Sequence, residues 1–298
     1  MSAATRATPS IWSRTHTALT SKAASGLSLL IALLWTVPTF GLFVSSFRDK
    51  SDLNNSGWWT FLAKPSFTLD NYTDVLFGGS ASNQLSNYFF NSLLITLIGA
   101  FAPMLLALMA AYAFSMIDWR GRDLVFTIVF ALQIVPIQMT LVPLMRIFVG
   151  SGVSKTLPFV AVWIAHTIYA LPLAVFLLHN YMADIPREIV EAAKVDGAGH
   201  ITIFTRIVLP LLTPAMASFF IFQFLWVWND LLVSLTYAGG TAKTAPLTVR
   251  LADLSGTYGD DWNLLTAGAF VSIIVPVTVF LLLQKYFVRG MMAGSVKS

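Results

Sequence analysis

At 298 residues, with 56% hydrophobic, 13% aromatic and only 11% charged side chains, the chain carries less than half the roughly 25% charge typical of a soluble domain. Its mean hydropathy is +0.73, and 23 Phe and 9 Trp stand against only 14 acidic and 18 basic residues, so lipid must cover much of the surface and a soluble enzyme is excluded. The net charge of +4 is spread singly at the ends of apolar segments, which marks membrane topology rather than a nucleic-acid partner; the absence of Cys excludes disulfides and thiolate metal sites.

In chain order, a tail over 1–23 leads to an apolar anchor over 24–46, an outer loop over 47–87, a core over 88–287 and a second tail over 288–298. Six apolar stretches, near 24–46, 88–115, 123–147, 158–181, 208–236 and 264–287, reach the roughly 20 residues a helix needs to cross hydrocarbon. The first follows Arg6, Arg14 and Lys22 but is too long for a signal peptide and lacks a small-x-small cleavage site, so it reads as a retained anchor. Placing both ends in the cytoplasm puts eleven of the 18 basic residues inside, Arg120, Arg122, Arg187, Lys194 and Arg206 among them, as the positive-inside rule prefers. The outer segments 47–87, 148–157 and 237–263, the last with Gly239-Gly240, read as surface loops.

The segment 182–207 is too polar to span yet keeps helical order. Asp184-Ile185-Pro186 reads as a helix start, with Asp184 accepting from free N–H groups and Pro186 in the first turn. From there Ile189, Ala192 and Ala193 share one face, Arg187 can pair with Glu191, and Glu191 with Lys194. Gly197 ends the helix, and a second short helix aligns Ile201, Phe204 and Val208 before Pro210 and Pro214 return the chain to the membrane. By its own chemistry this helix–Gly–helix elbow could equally be an amphipathic connector lying on the membrane surface.

Glu191-Ala192-Ala193, three residues, Gly197, nine residues and Ile207-Val208-Leu209-Pro210 resemble in full the cytoplasmic signature of ATP-binding-cassette importer permeases. Asp196-Gly197-Ala198, Trp226-Val227-Trp228-Asn229-Asp230 and Lys285-Tyr286-Phe287-Val288-Arg289-Gly290 are similar to the second, maltose-type permease of carbohydrate importers. The resemblance implies an all-α membrane protein of six transmembrane helices with the type I importer permease fold, and no enzyme. It implies residence in the bacterial inner membrane, as a multi-pass subunit with both termini cytoplasmic. It further implies that Glu191, Ala192, Ala193, Asp196, Gly197, Ile207, Leu209 and Pro210 form a coupling helix seated on a separate ATPase. The implied partners are two ATPase subunits, a second permease and an extracytoplasmic sugar-binding protein, in contact with membrane lipid and with no nucleic acid. The tail from Phe287 onward would also touch the ATPases.

The chain has no Gly-x4-Gly-Lys-Ser/Thr phosphate loop, so ATP and its Mg would be bound by the partner ATPases. For the sugar, Gln223, Trp226, Trp228, Asn229 and Asp230 supply ring faces and hydrogen-bonding groups near one span, although Trp also favours interfaces and Asn-Asp can end a helix. Gln133, Pro136, Gln138 and Pro143 either line the path or knit helices together, the second being slightly favoured. His166, His179 and His200 lie too far apart for a metal cluster and read as packing residues. A disaccharide or other glucoside is the expected substrate. Import of a non-sugar solute and an ion-coupled secondary transporter are the alternatives, the latter weakened by the lack of an internal repeat.

Overall fold

The computed structural model describes residues 22–80, 84–256 and 261–295, and side chains only as far as Lys285 at the C-terminal end. The expected N-terminal tail, apart from its last two residues, thus lies outside the described residues, as does the side-chain chemistry of the C-terminal tail. Among the described residues every regular element is helical.

Four helices are long and apolar enough to cross a membrane: α1 (Lys22–Ser46) through its residues Ala24–Ser46, then Leu85–Met116, Pro158–Ala183 and Trp262–Lys285. Two more spans exist only as broken pairs. The third predicted span divides into α5 (Arg122–Ala131), its 3-10 extension Leu132–Ile134, and α6 (Ile137–Gly150), bent by 102°. The cause is local: Pro136 has no N–H to give, and its ring drives Val135 out of helical geometry to ψ 117°.

The outer segment 47–87, expected to be a loop, is an organised cap. It holds α2 (Lys50–Asn55), a 3-10 turn Trp58–Leu62 and α3 (Asp70–Phe77). Arg48 sits at its centre, 1% exposed, donating to Thr60 Oγ1 at 2.8 Å and pairing with Asp52 at 3.3 Å. Asn71 donates to the carbonyls of Ser46 and Arg48 and accepts from Asn263 at 2.7 Å, stitching the cap to the last span. The sequence pattern missed this order because its polar residues face inward onto one another rather than onto apolar neighbours. Ser66, donating at 2.6 Å, and then Arg48 hold the Asp52 carboxyl below the usual carboxylate range.

In the core, α4 (Leu85–Met116) packs along α8 (Pro158–Ala183) through small residues: Ala107 and Ala111 on one, Ala161, Ala165 and Ala174 on the other, all 0% exposed. Small side chains let backbones approach where lipid supplies no hydrophobic drive. At Gly99 an added Cβ would come within 3.2 Å of Val227 and 3.8 Å of His166 Cβ, so three helices converge there.

The fifth predicted span is also broken. A piece over His200–Leu211, ending in α11 (Leu209–Leu211), meets α12 (Thr213–Trp228) at 72°, with Pro214 in the first turn of α12. The expected continuous run to residue 236 stops at Asn229, and α13 (Leu232–Ala238) starts as a separate helix. The expected outer loop 237–263 contains α14 (Leu247–Gly256), and that at 148–157 contains α7 (Val153–Thr156). The chain ends with α15 (Trp262–Ser295).

Candidate functional site: a polar elbow and a membrane cavity

The span α8 carries on to Ala183, with Asp184 at its C-terminal cap, so Asp184 does not start the next helix. The apolar run before it propagates helix past the expected boundary. Pro186, at φ −55° and ψ 127°, makes the turn, and α9 (Arg187–Val195) follows.

At the end of α9 the geometry is a six-residue Schellman closure. The Ala198 N–H donates to Ala193 O at 2.9 Å, the Gly197 N–H donates to Lys194 O at 3.0 Å, and Gly197 adopts φ +82°. The corner expected at Gly197 is therefore present. The anchoring face differs from expectation. Val190 is the buried residue of α9, Ala193 is half-buried, and Ile189 is 42% exposed. Glu191, Ala192 and Asp196 face outward, and among the described residues neither Arg187–Glu191 nor Glu191–Lys194 closes to 4.0 Å.

Beyond the corner, α10 (His200–Ile203) runs into a π-turn, Phe204–Val208. The wider turn shifts the register, so Ile203 and Val208 are buried whereas Ile201 is 82% exposed rather than aligned with Phe204 and Val208. Ile207 and Leu209 are half-buried and Pro210 exposed. The elbow is tied to the membrane body by Tyr112 of α4, whose hydroxyl lies 3.0 Å from His200 Nδ1. Its outer surface displays Val195, 88% exposed, beside Ile201.

Within the membrane, a cavity of about 480 Å³ opens where the third span breaks, walled by the 3-10 turn and Val135 at the break and by α6, α8 and α12. Gln133, Thr140, His166, Tyr169, Gln223 and Trp226 supply its polar and aromatic wall, and among the described residues no Asp, Glu, Lys or Arg lines it. The structure divides the expected substrate group. Gln223, 5% exposed and donating to Gly99 O at 3.2 Å, and Trp226 line the cavity. Trp228 points away, stacked on Phe224 at 5.9 Å with its indole N–H donating to Ser272 O. Asn229 closes the end of α12 onto Leu225 O, and Asp230 caps α13, accepting from Val233 N, Ser234 N and Ser234 Oγ.

Gln133 and Pro143, read as somewhat more suited to knitting helices, lie in the cavity wall. His166 and Tyr169 also line it; nothing in their sequence neighbourhood distinguished them from packing residues. His179 packs on Phe126 at 4.2 Å, and Arg146 near the end of α6 is exposed.

Residues 103–293, well over half of the chain and including the elbow and cavity, match the family described as binding-protein-dependent transport system inner membrane component. The chain is 51% identical over 274 residues to an osmoprotective compounds uptake permease protein, GgtD, of Synechocystis sp., covering 91% of this chain and 90% of the relative. It is 37% identical to an alpha-glucoside transport system permease protein, AglG, of Rhizobium meliloti, covering 90% and 95%. Among solved structures, a bacterial ABC transporter involved in import of the acidic polysaccharide alginate superposes with a TM-score of 0.72 over 95% of this chain and 100% of that one; at 21% identity the likeness is one of fold. The chain is a membrane transport subunit and no enzyme: it belongs to the binding-protein-dependent inner membrane components of ABC importers, with the type I permease fold.

Proposed function

We propose that the chain is one permease of an ATP-driven importer of neutral sugars, most simply a disaccharide or other glucoside, and that the elbow over 184–210 couples ATPase closure to alternating access. The carrying observation is the elbow itself. Val190 fixes it to the membrane body and the Gly197 closure sets its corner, while Glu191, Ala192, Val195 and Ile201 are exposed among the described residues. Exposed apolar side chains beside a free carboxylate, on a surface that faces water, suit a groove in another protein.

In this reading two ATPase subunits hold ATP and its Mg, and their approach drags the docked elbows together. The rigid α4 and α8 carry the motion to the cavity. A second permease supplies the other wall and an extracytoplasmic binding protein delivers the sugar. Both termini face the cytoplasm, which follows from the distribution of basic residues. A cavity lined by Gln133, Gln223 and Trp226, with no Asp, Glu, Lys or Arg among the described lining residues, suits hydroxyls and sugar ring faces better than a carboxylate or an ammonium group.

Uptake of an osmoprotective solute is a second reading, favoured by the relative named for that role. The two meet if the osmoprotectant is itself neutral and glycosidic. The test is purification of the tagged chain from its native membrane in mild detergent, mass spectrometry of what accompanies it, and ATP-driven uptake after reconstitution. Recovery of ATPases and a binding protein, with uptake of sucrose, maltose or trehalose, supports sugar import. Uptake of glycine betaine instead would overturn the substrate assignment, and ion-driven uptake without ATP would overturn the coupling.

A further inference from the structure

His166 and Tyr169 lie one turn apart on α8, and both line the cavity. Each also reaches α13, the short helix beyond the break in the fifth span. His166, 1% exposed, places Nε2 3.5 Å from Asp230 Oδ2, where it makes no hydrogen bond. The Tyr169 hydroxyl lies 3.0 Å from that of Tyr237. Tyr237 donates its own proton to Leu141 O of α6 at 3.2 Å, which leaves Tyr169 as the donor between the two phenols. Thr140 of α6 stands 3.2 Å from the same Tyr169 oxygen.

The two contacts on α13 are separated by two helical turns, from Asp230 at its cap to Tyr237 near its end. Asp230 is rigid because three donors from α13 already hold its carboxylate, and its carbonyl accepts from Thr248 of α14 at 2.7 Å. Asp230 thus links the start of α13 to α14.

We propose that His166 and Tyr169 are solute-sensing residues: together with Asp230 and Tyr237 they form a two-point clasp between α8 and α13, and a hydroxylated solute in the cavity draws on the polar atoms that hold the clasp. A sugar hydroxyl bonded to the imidazole or the Tyr169 phenol competes with the loose His166–Asp230 contact and the Tyr169–Tyr237 bond, so an occupied cavity holds α13 differently from an empty one. Because α13 is the end of the fifth span away from the elbow, the clasp governs the outer closure. Solute and ATP then act on opposite ends of one bundle. His166 and Tyr169 are positioning residues for transport as well as contacts for the solute.

The inference rests on the importer reading, so the experiment establishes that first. The complete transporter is reconstituted in proteoliposomes and tested with radiolabelled sucrose, maltose and trehalose; failure of the wild-type complex to take up any of them with ATP would end the reading of the substrate, not of the clasp. With uptake in hand, Tyr169→Phe keeps the ring and removes a single oxygen. It is expected to raise the transport KM by about fivefold, the equivalent of one neutral hydrogen bond, and to bring the ratio of solute-stimulated to unstimulated ATPase rate close to one. His166→Leu is expected to do the same, and His166→Gln, which retains a donor and an acceptor, to recover much of the loss. Co-purification of the ATPases reports whether each variant assembles, and Tyr169→Phe decides if His166→Leu does not. Wild-type KM and a wild-type stimulation ratio in Tyr169→Phe would overturn the clasp. A raised KM with an unaltered stimulation ratio would overturn its sensing role, leaving only a solute contact.

Discussion

Gly197 has φ +82°, and no heavy atom lies within 4 Å of the place a Cβ would occupy. Substitution there meets no crowding, so any damage comes from the backbone alone. Gly197→Val is expected to destabilise the corner by about 1–2 kcal/mol and to abolish most ATP-driven uptake, whereas Gly197→Asn, which tolerates the left-handed region, is expected to retain more. Uptake by the two variants, compared at equal amounts in the membrane, checks the order; equal loss would mean that the position is sensitive to bulk against a partner. Glu191 gives the complementary case. Its side chain is exposed and makes no contact on which the fold depends, so Glu191→Lys is expected to insert and fold normally while ATP hydrolysis and uptake part company. In the cavity, Trp226→Ala removes the larger of two ring faces, with Phe222, that are each 49% exposed, and is expected to raise the uptake KM by about tenfold at unchanged protein level, read from concentration-dependent uptake.

At the scale of elements, the elbow was the most legible part of the sequence because its signals are local. A Pro before the helix, a Gly after it and alternating charge along it act within a turn or two of where they stand. What escaped notice was set by contacts at long range or by the neighbouring run. Asp184 looks like a helix cap by itself, but the apolar sequence from Pro158 carries its helix through Ala183. The π-turn at Phe204–Val208 has no residue that announces it, and it shifts the register of the residues that follow, Val208 among them. Trp228 and Trp226 differ by two positions and hence by about 200° around a helix, so one faces Phe224 and α15 and the other faces the cavity. The outer cap was hidden for a related reason, since polar residues that satisfy one another leave no apolar period to read. Its Asp52 carboxyl titrates below its ordinary value, so this group stabilises the folded cap above about pH 4, and that contribution falls away as the pH drops through the lowered value. Susceptibility of the cap to an external protease is expected to rise below about pH 4 in the wild type, and Asp52→Asn is expected to show a flatter pH profile. Arg48→Met, which leaves Thr60 and the Gly57 carbonyl without their donor, is expected to loosen the same cap at neutral pH by about 1–3 kcal/mol, seen as faster cleavage.

At the scale of the whole molecule, the bundle is finished on some sides and open on others. The seam between α4 and α8 is closed by alanines at 0% exposure, and Ala107→Leu is expected to cost about 1–3 kcal/mol and to lower the thermal midpoint of the detergent-solubilised chain. By contrast α1 buries little of itself against the rest and presents Leu34, Trp35 and Leu33 outward, as a helix among lipid chains does. The wall of the cavity is also partly uncovered: Leu132 is 55% exposed and Met139 70%. The open cavity has a consequence for the life of the protein in the cell. A subunit inserted alone holds Gln133, His166 and Gln223 along a wall that hydrocarbon would have to seal. If the proposed second permease supplies the facing wall, an orphan subunit is expected to be removed by membrane quality control, its lifetime set by how soon that half arrives. Pulse-labelling with and without co-expression of the proposed partner checks this, rapid turnover of the orphan being the expected result.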